Sequence, residues 1–375
     1  MEVFITADNI ISPLGATSGI NFAQLAKEVS GIREHNNPAF SPVPFYAALF
    51  EPGAVILPEA GDYTRFEQLL IASVGQVVKD SAVDVTSPRT GLIVSTTKGN
   101  ISLLETDAND PELAQRVALH HSAALLAKHF GFVSKPVVVS NACISGLLGI
   151  LAGMRMIRSG QYDQVVVTGA DVITRFVLSG FQSFQAVSDS VCKPFDAARN
   201  GINLGEAAAS VLLSSVKKSD TDIKVTGGSV SNDANHISGP SRTGEELFQA
   251  IEAALKDAGI TSADIGFISA HGTATIYNDE MEAKAIHLAG LSHVPVNSLK
   301  AYYGHTLGAA GLIESVIAAH SLQQDIILSS LGYNESGVTQ PLNICTKLQP
   351  APLNNCLKTA SGFGGCNAAL VFSKQ

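Results

Sequence analysis

Apolar residues in this chain fall into two alternating kinds of run. Short, nearly unbroken aliphatic and β-branched stretches, such as Gly-Leu-Ile-Val-Ser-Thr at 91–96, Val-Val-Val-Ser at 137–140 and Ala-Ala-Leu-Val-Phe-Ser at 368–373, have the composition of strands buried on both faces. Between them lie longer stretches, at 66–80, 146–157, 247–257 and 308–320, in which apolar residues recur at helical spacing. Strands that alternate with helices in this way predict an α/β architecture.

The second half of the chain echoes the first. A helix over 66–80 is followed by a strand over 91–96; a helix over 247–257 is followed by a strand over 265–270, and both helices end near a Lys-Asp pair. A strand over 136–140 leads into the helix at 146–157, as a strand over 294–298 leads into the helix at 308–320. Each half then closes on a further strand, 164–169 and 368–373. Three matched pairs in one order point to a duplication. No low-complexity linker separates the halves, so the reading is one fused core of two parts, 1–219 and 220–375, with the boundary near 217–222.

Composition narrows the setting. With 375 residues, 46% hydrophobic, 15% charged and 33 glycines, the chain has the length and apolar content for two core-forming units, which excludes a disordered or fibrous protein. No apolar run reaches the roughly 18 residues of a membrane span, and the start Met-Glu-Val-Phe-Ile-Thr lacks a basic, apolar leader, so the expected setting is cytoplasmic. Cys143, Cys192, Cys345, Cys356 and Cys366 form no C-x-x-C pair, which argues for free thiols with neither a disulfide framework nor a metal site. A formal charge of −9 argues against nucleic acid as a partner.

Candidate chemistry centres on Cys143. The run Val137-Val-Val-Ser-Asn-Ala-Cys143-Ile-Ser-Gly146 reads as a buried strand turning into a helix with the thiol at the helix's first turn. Unpaired N–H groups and the helix dipole favour anionic sulfur there, and the thiolate is the reactive form. If the duplication holds, the equivalent loop of the second half, 297–311, faces Cys143 and brings His305. A second imidazole, His271, ends the buried strand Phe267-Ile-Ser-Ala-His271 and enters a Gly-Thr loop, a usual place for catalytic groups in α/β folds. Either histidine alone reads as structural. Two on glycine-rich loops beside a cysteine read as an active site.

These residues and their surroundings resemble the β-ketoacyl synthases of the thiolase superfamily, in the elongating Cys-His-His group that works on acyl carrier protein. The resemblance rests on Asn-Ala-Cys143, Cys192-Lys-Pro-Phe-Asp-Ala-Ala-Arg-Asn-Gly201, Asp233-Ala-Asn-His236, Ala-His271-Gly-Thr-Ala-Thr275, Lys300-x4-His305-Thr-Leu-Gly-Ala-Ala-Gly311 and Ser361-Gly-Phe363-Gly-Gly-Cys366-Asn, in the family's order from Ile11-Ser-Pro-Leu-Gly15 onward. It implies a thiolase-like fold in which duplicated βαβ-rich halves form a layered αβαβα core. It also implies a decarboxylative Claisen condensation: Cys143 takes an acyl group from its carrier, and His271 and His305 stabilise the enolate left when malonyl-carrier protein loses carbon dioxide.

By the same resemblance, main-chain N–H groups of Cys143 and Phe363 form the oxyanion hole, and Phe363 gates the acyl pocket on a loop that Gly364 helps to move. Thr273 and Thr275 contact the phosphopantetheine arm. Lys300 and Glu314 orient the histidine loop as a charged pair, Asp279 is a structural acid, and Cys366 is a packed small residue where many relatives carry threonine. No tightly bound cofactor is implied beyond the carrier's phosphopantetheine. Implied partners are the acyl carrier protein and a second subunit, either in a homodimer or in a heterodimer with a homologous synthase-like chain.

The chain departs from the family between residues 100 and 141, where it is short, and at Asn200-Gly-Ile-Asn-Leu-Gly-Glu206. Those departures leave acyl length and type open, with polyene or other specialised lipid synthesis beside bulk fatty-acid elongation. A catalytic subunit that needs a degenerate chain-length-factor partner is one alternative. A coenzyme A-dependent thiolase is another, and His305 in its Gly-His-Thr loop speaks against it.

Overall fold

The computed structural model describes residues 1–51, 53–54, 61–107, 109–235 and 237–374; His236 of the Asp233–His236 motif lies outside the described residues. Ten strands carry the architecture. The first five are β1 (Phe4–Ile11), β2 (Thr90–Ser95), β3 (Val137–Val139), β4 (Gln164–Asp171) and β5 (Ala207–Ser214). The next five are β6 (Ile223–Asn232), β7 (Phe267–Ser269), β8 (Pro295–Asn297), β9 (Asn355–Gly362) and β10 (Cys366–Ser373).

Hydrogen bonding arranges the first set in the order β3-β2-β4-β5-β1 and the second in the order β8-β7-β9-β10-β6. The two orders are the same pattern. In each set three strands run parallel and the last two pair antiparallel. A short antiparallel contact between β1 and β6, Phe4 with Lys224 and Ile5 with Ile223, joins the sets edge to edge.

One expected pairing of the duplication is corrected by this topology. The strand at 164–169 belongs to β4, whose counterpart is β9; the final strand, β10, answers to β5. The pattern hid β9 because Asn-Cys-Leu-Lys-Thr-Ala-Ser-Gly places a lysine and three hydroxyl or amide residues in a strand that is nonetheless buried over most of its length.

Helices fill three layers around the sheets. Helix α1 (Arg65–Ser81) opens with a capping box, the Thr64 hydroxyl accepting from Glu67 N–H while the Glu67 carboxylate accepts from Thr64 N–H, and it packs on β1, β4 and β5. Between the two sheets lie α2 (Ser145–Arg158) and a second inner helix over 310–324, which belong to one shared apolar core. The outer face of the second sheet is covered by helices over 245–258 and 276–288, whose apolar residues form a core of their own. No helix among the described residues is long and apolar enough to cross a membrane.

The two inner helices meet main chain to main chain. A Cβ on Gly146 would lie 2.6 Å from Leu312 N, and a Cβ on Gly311 would lie 2.7 Å from Leu147 N. Only glycine fits such an approach, and each glycine stands just after the loop that carries Cys143 or His305. Gly311→Ala is therefore expected to destabilise the fold by about 1–3 kcal/mol through overpacking. By spreading the two loops it should also lower turnover roughly tenfold to a hundredfold. Chemical denaturation and steady-state rates on one preparation check both parts.

Candidate active site

Equivalent strand ends deliver the two halves of the site. The chain leaves β3 at Val139 and reaches Cys143 four residues later; it leaves β8 at Asn297, makes the short helix at 300–303, and reaches His305. The turn before the cysteine is tight, since Ala142 adopts φ +44° and the Ser145 hydroxyl bridges Asn141 N–H and Ala142 C=O. Left-handed backbone at a residue with a Cβ costs of order 1 kcal/mol and persists where the surroundings over-determine it. Ala274 (φ +60°) and Leu307 (φ +51°) repeat the feature on the loops after His271 and His305.

The thiol is not within the helix. Helix α2 begins at Ser145, so Cys143 lies two residues ahead of its first turn, a correction to the sequence expectation. Burial pushes the Cys143 thiol up to about 12, and the neighbouring Cys366 adds to the rise, against the opposing pull of Lys300, Lys98 and the Phe363 N–H. The resting sulfur is thus a neutral thiol, and an expectation built on the helix dipole alone left out the dryness of the site.

His305 Nε2 lies 3.0 Å from Cys143 Sγ, and the His271 ring meets the His305 ring edge-on at 5.4 Å between centroids. Burial, then the Lys300 charge, hold both imidazoles well below the usual histidine range, with His305 and Lys358 adding to the effect at His271, so both are neutral near pH 7. Their tautomers follow from their neighbours. Lys300 Nζ, which can only donate, lies 3.4 Å from His271 Nδ1, which leaves the His271 proton on Nε2. His305 Nδ1 is buried without a hydrogen-bond partner among the described residues, and an empty lone pair is tolerated there better than a stranded N–H. Its proton therefore sits on Nε2, toward the sulfur.

Cys143, His271 and His305 each bring one ligand atom to within 4.8 Å of the others, the donor types that a zinc ion takes, three of the usual four. The same residues line a cavity of about 290 Å³ with Thr273, Thr275 and Phe363. Thr273 Oγ1 and Thr275 Oγ1 are 2.8 Å apart on its wall. Phe363 tops the hairpin between β9 and β10, is 41% exposed, stacks on Phe181 and takes Phe184 edge-on. Gly364 and Gly365 follow at φ +86° and +77°, and a Cβ on Gly365 would strike Asp233 O at 1.9 Å, so this turn requires glycine.

The supporting residues are buried beneath. Lys300 pairs with Glu314, and Asp279 accepts from Phe195 N–H at 2.7 Å and Thr273 N–H at 2.9 Å, which anchors the threonine loop. Burial pushes the Asp279 carboxyl up to about 6 against those hydrogen bonds. Cys366 is buried away from the cavity wall, with its sulfur near Asn141 O and Phe363 O.

Three residues with structural roles at the site escaped sequence reasoning. Glu282 accepts from the N–H groups of His271 and Gly272, at 2.8 and 2.7 Å, and follows Asp279 by three on one helix face, which was a legible signal. Asp171 accepts from Gly308 N–H at 2.6 Å and from Lys98 N–H at 3.0 Å, and so ties the His305 loop to the end of β2. Lys358, in β9, lies 2.7 Å from Glu314.

Comparison with known proteins converges on one family. The model for the beta-ketoacyl synthase N-terminal domain matches residues 47–219, and that for the C-terminal domain matches residues 223–334. The chain is 28% identical to 3-oxoacyl-[acyl-carrier-protein] synthase 2 of Vibrio cholerae, across 100% of this chain and 99% of that one. Among solved structures it is similar to the ketosynthase ApeO, in complex with its chain length factor ApeC from Xenorhabdus doucetiae, with TM-score 0.90, 26% identity and coverage of 100% and 98%. The ishigamide ketosynthase/chain length factor gives TM-score 0.90 and 26% identity, covering 100% and 99%.

Proposed function

Because the chain belongs to the β-ketoacyl synthase family and is an acyltransferase of the thiolase-like fold, we propose that it joins an acyl group held on Cys143 to a two-carbon unit from malonyl-acyl carrier protein. The observation that carries the reading is the approach of His305 Nε2 to Cys143 Sγ at 3.0 Å on the wall of a cavity that also holds His271.

In the first half-reaction the Cys143 sulfur attacks the carrier's thioester carbonyl. A new carbon–sulfur bond forms, the bond to pantetheine breaks, and the thiol proton ends on the released pantetheine sulfur. The Nε2–H of His305 offsets negative charge gathering on Cys143. Main-chain N–H groups of Cys143 and Phe363 face the tetrahedral oxygen, each such donor being worth roughly 10²–10³ in rate.

In the second half-reaction the malonyl carbon–carboxylate bond breaks and carbon dioxide departs. The electron pair becomes an enolate whose oxygen accepts from the Nε2–H groups of His271 and His305. The enolate carbon attacks the Cys143 thioester, Cys143 leaves and takes a proton from water, and a β-ketoacyl thioester two carbons longer remains on the carrier. Thr273 and Thr275 offer hydroxyls to the amides of the phosphopantetheine arm. Phe363, held between two aromatic rings on a glycine turn, gates the acyl chain.

The neighbours with known assemblies favour a second reading of the partner. Both solved relatives at 26% identity are ketosynthases with a chain length factor. With cysteine and both histidines in place, this chain is the catalytic member of any such pair.

Intact-protein mass spectrometry after incubation with acyl-carrier substrates tests the proposal: one acyl adduct is expected, mapping to Cys143. Labelling should slow as salt rises, since this chain carries −9 and docking an acidic carrier needs local basic groups whose field is screened over about 8–10 Å at physiological ionic strength. An adduct on Cys366, or equal salt-independent labelling by acyl-coenzyme A, would favour a thiolase.

A further inference from the structure

Beneath the imidazoles lies a buried charge cluster that the reaction above uses only in part. Glu314 divides its two oxygens between two lysines: Oε1 takes Lys300, and Oε2 takes Lys358 at 2.7 Å. Both lysines are fully buried and Glu314 is nearly so. Two cations on one anion is a costly arrangement in a dry site unless every donor is used.

Every donor is used. Lys358 Nζ donates to Thr359 O at 2.8 Å, to Ser269 O at 3.1 Å and to Ala270 O at 3.3 Å, and its charge lies 2.7 Å from Glu314 Oε2 as an ion pair. Lys300 Nζ donates to Glu314, to His271 O at 2.9 Å and toward His271 Nδ1 at 3.4 Å. Between them the two ammonium groups hold the carbonyls of Ser269, Ala270 and His271, three consecutive residues ending at the imidazole. Glu282 is not available to Lys358 in the same way, since its oxygens take His271 N–H, Gly272 N–H and the Thr359 hydroxyl.

We propose that Lys358 is a positioning residue for His271: by occupying one oxygen of Glu314 and the carbonyls ahead of the imidazole, it leaves Lys300 free to address Nδ1, which fixes the ring proton on Nε2. Without Lys358, both oxygens of Glu314 draw on Lys300, and Nδ1 loses its donor. This inference rests on the decarboxylating role given to His271 above. The charged and titratable groups that face His271 are Lys300, Lys358 and Glu314 beneath it, His305 and Cys143 across the site, and Glu282 at its main chain.

The test compares Cys143→Gln with Cys143→Gln/Lys358→Met for decarboxylation of malonyl-carrier protein across pH, and measures acylation of Cys143 in Lys358→Met alone. Decarboxylation is expected to fall about tenfold. Its acid limb should move up by about half a pH unit or more, because removing a buried cation makes the neighbouring imidazole easier to protonate. Acylation, which does not call on His271, should change by less than about threefold on the same electrostatic argument. If Lys358→Met does not yield folded protein, Lys358→Gln keeps one donor toward Glu314 without the charge and is read the same way. Unchanged decarboxylation with an unmoved acid limb overturns the proposal, as does an equal loss in both half-reactions with an unmoved limb, the mark of a merely structural residue. A Cys143→Gln protein that releases no carbon dioxide overturns the condensation reading itself and this inference with it.

Discussion

Cys143→Ala is expected to abolish condensation, with a loss of at least about 10⁴-fold, because no other group at the site can carry the acyl chain between the two half-reactions. The other four cysteines are buried, and none of them lines the cavity that holds His271 and His305, so none can meet the carrier's thioester beside the imidazoles. The substitution removes one sulfur from a half-buried position and leaves the Gly146–Gly311 crossing intact, so thermal unfolding should shift by no more than a few degrees. Residual condensation within tenfold of the parent protein, or an acyl adduct that survives the change, would remove Cys143 from the mechanism.

The second large effect separates the imidazoles from the sulfur. A Cys143→Gln protein cannot be acylated but keeps both Nε2–H donors, so it should still release carbon dioxide from malonyl-carrier protein. Adding His305→Ala should cut that release by roughly 10²-fold or more, the usual worth of one donor aimed at developing negative charge. Because burial and the Lys300 charge hold His271 and His305 well below the ordinary histidine range, the Cys143→Gln rate should stay level as pH falls through 6.5 and decline only when the imidazoles at last take a proton. Undiminished decarboxylation in the double variant would show that the enolate is stabilised elsewhere.

The sequence made the α/β alternation legible because strands buried on both faces are written as unbroken aliphatic runs. It also made the facing of Cys143 and His305 legible, because strands β3 and β8 occupy the same place in their two sets. What it concealed was buried charge. Lys358 and Asp171 read as surface residues in a linear pattern, since hydropathy cannot tell a solvated lysine from one whose donors are spent on carbonyls beside a carboxylate. The same blindness shifted one strand pairing, as β9 owes its polar appearance to residues that are satisfied inside. The extended reach credited to the helix dipole failed for a related reason: one-dimensional position gives the field at Cys143 but not the loss of water around it.

The glycine crossing at the centre of the molecule also decides where the enzyme can breathe. Two helices that touch backbone to backbone have little slack to give, so the floor carrying Cys143 and His305 is expected to hold its shape while substrate comes and goes. On the mechanism proposed above, admission of the acyl chain then falls to the rim, to the hairpin tip at Phe363 and the rings of Phe181 and Phe184 that pack on it. Selectivity for chain length is on this view a property of how often that rim opens and how wide, and variation there can retune the product while the chemistry beneath it stays the same.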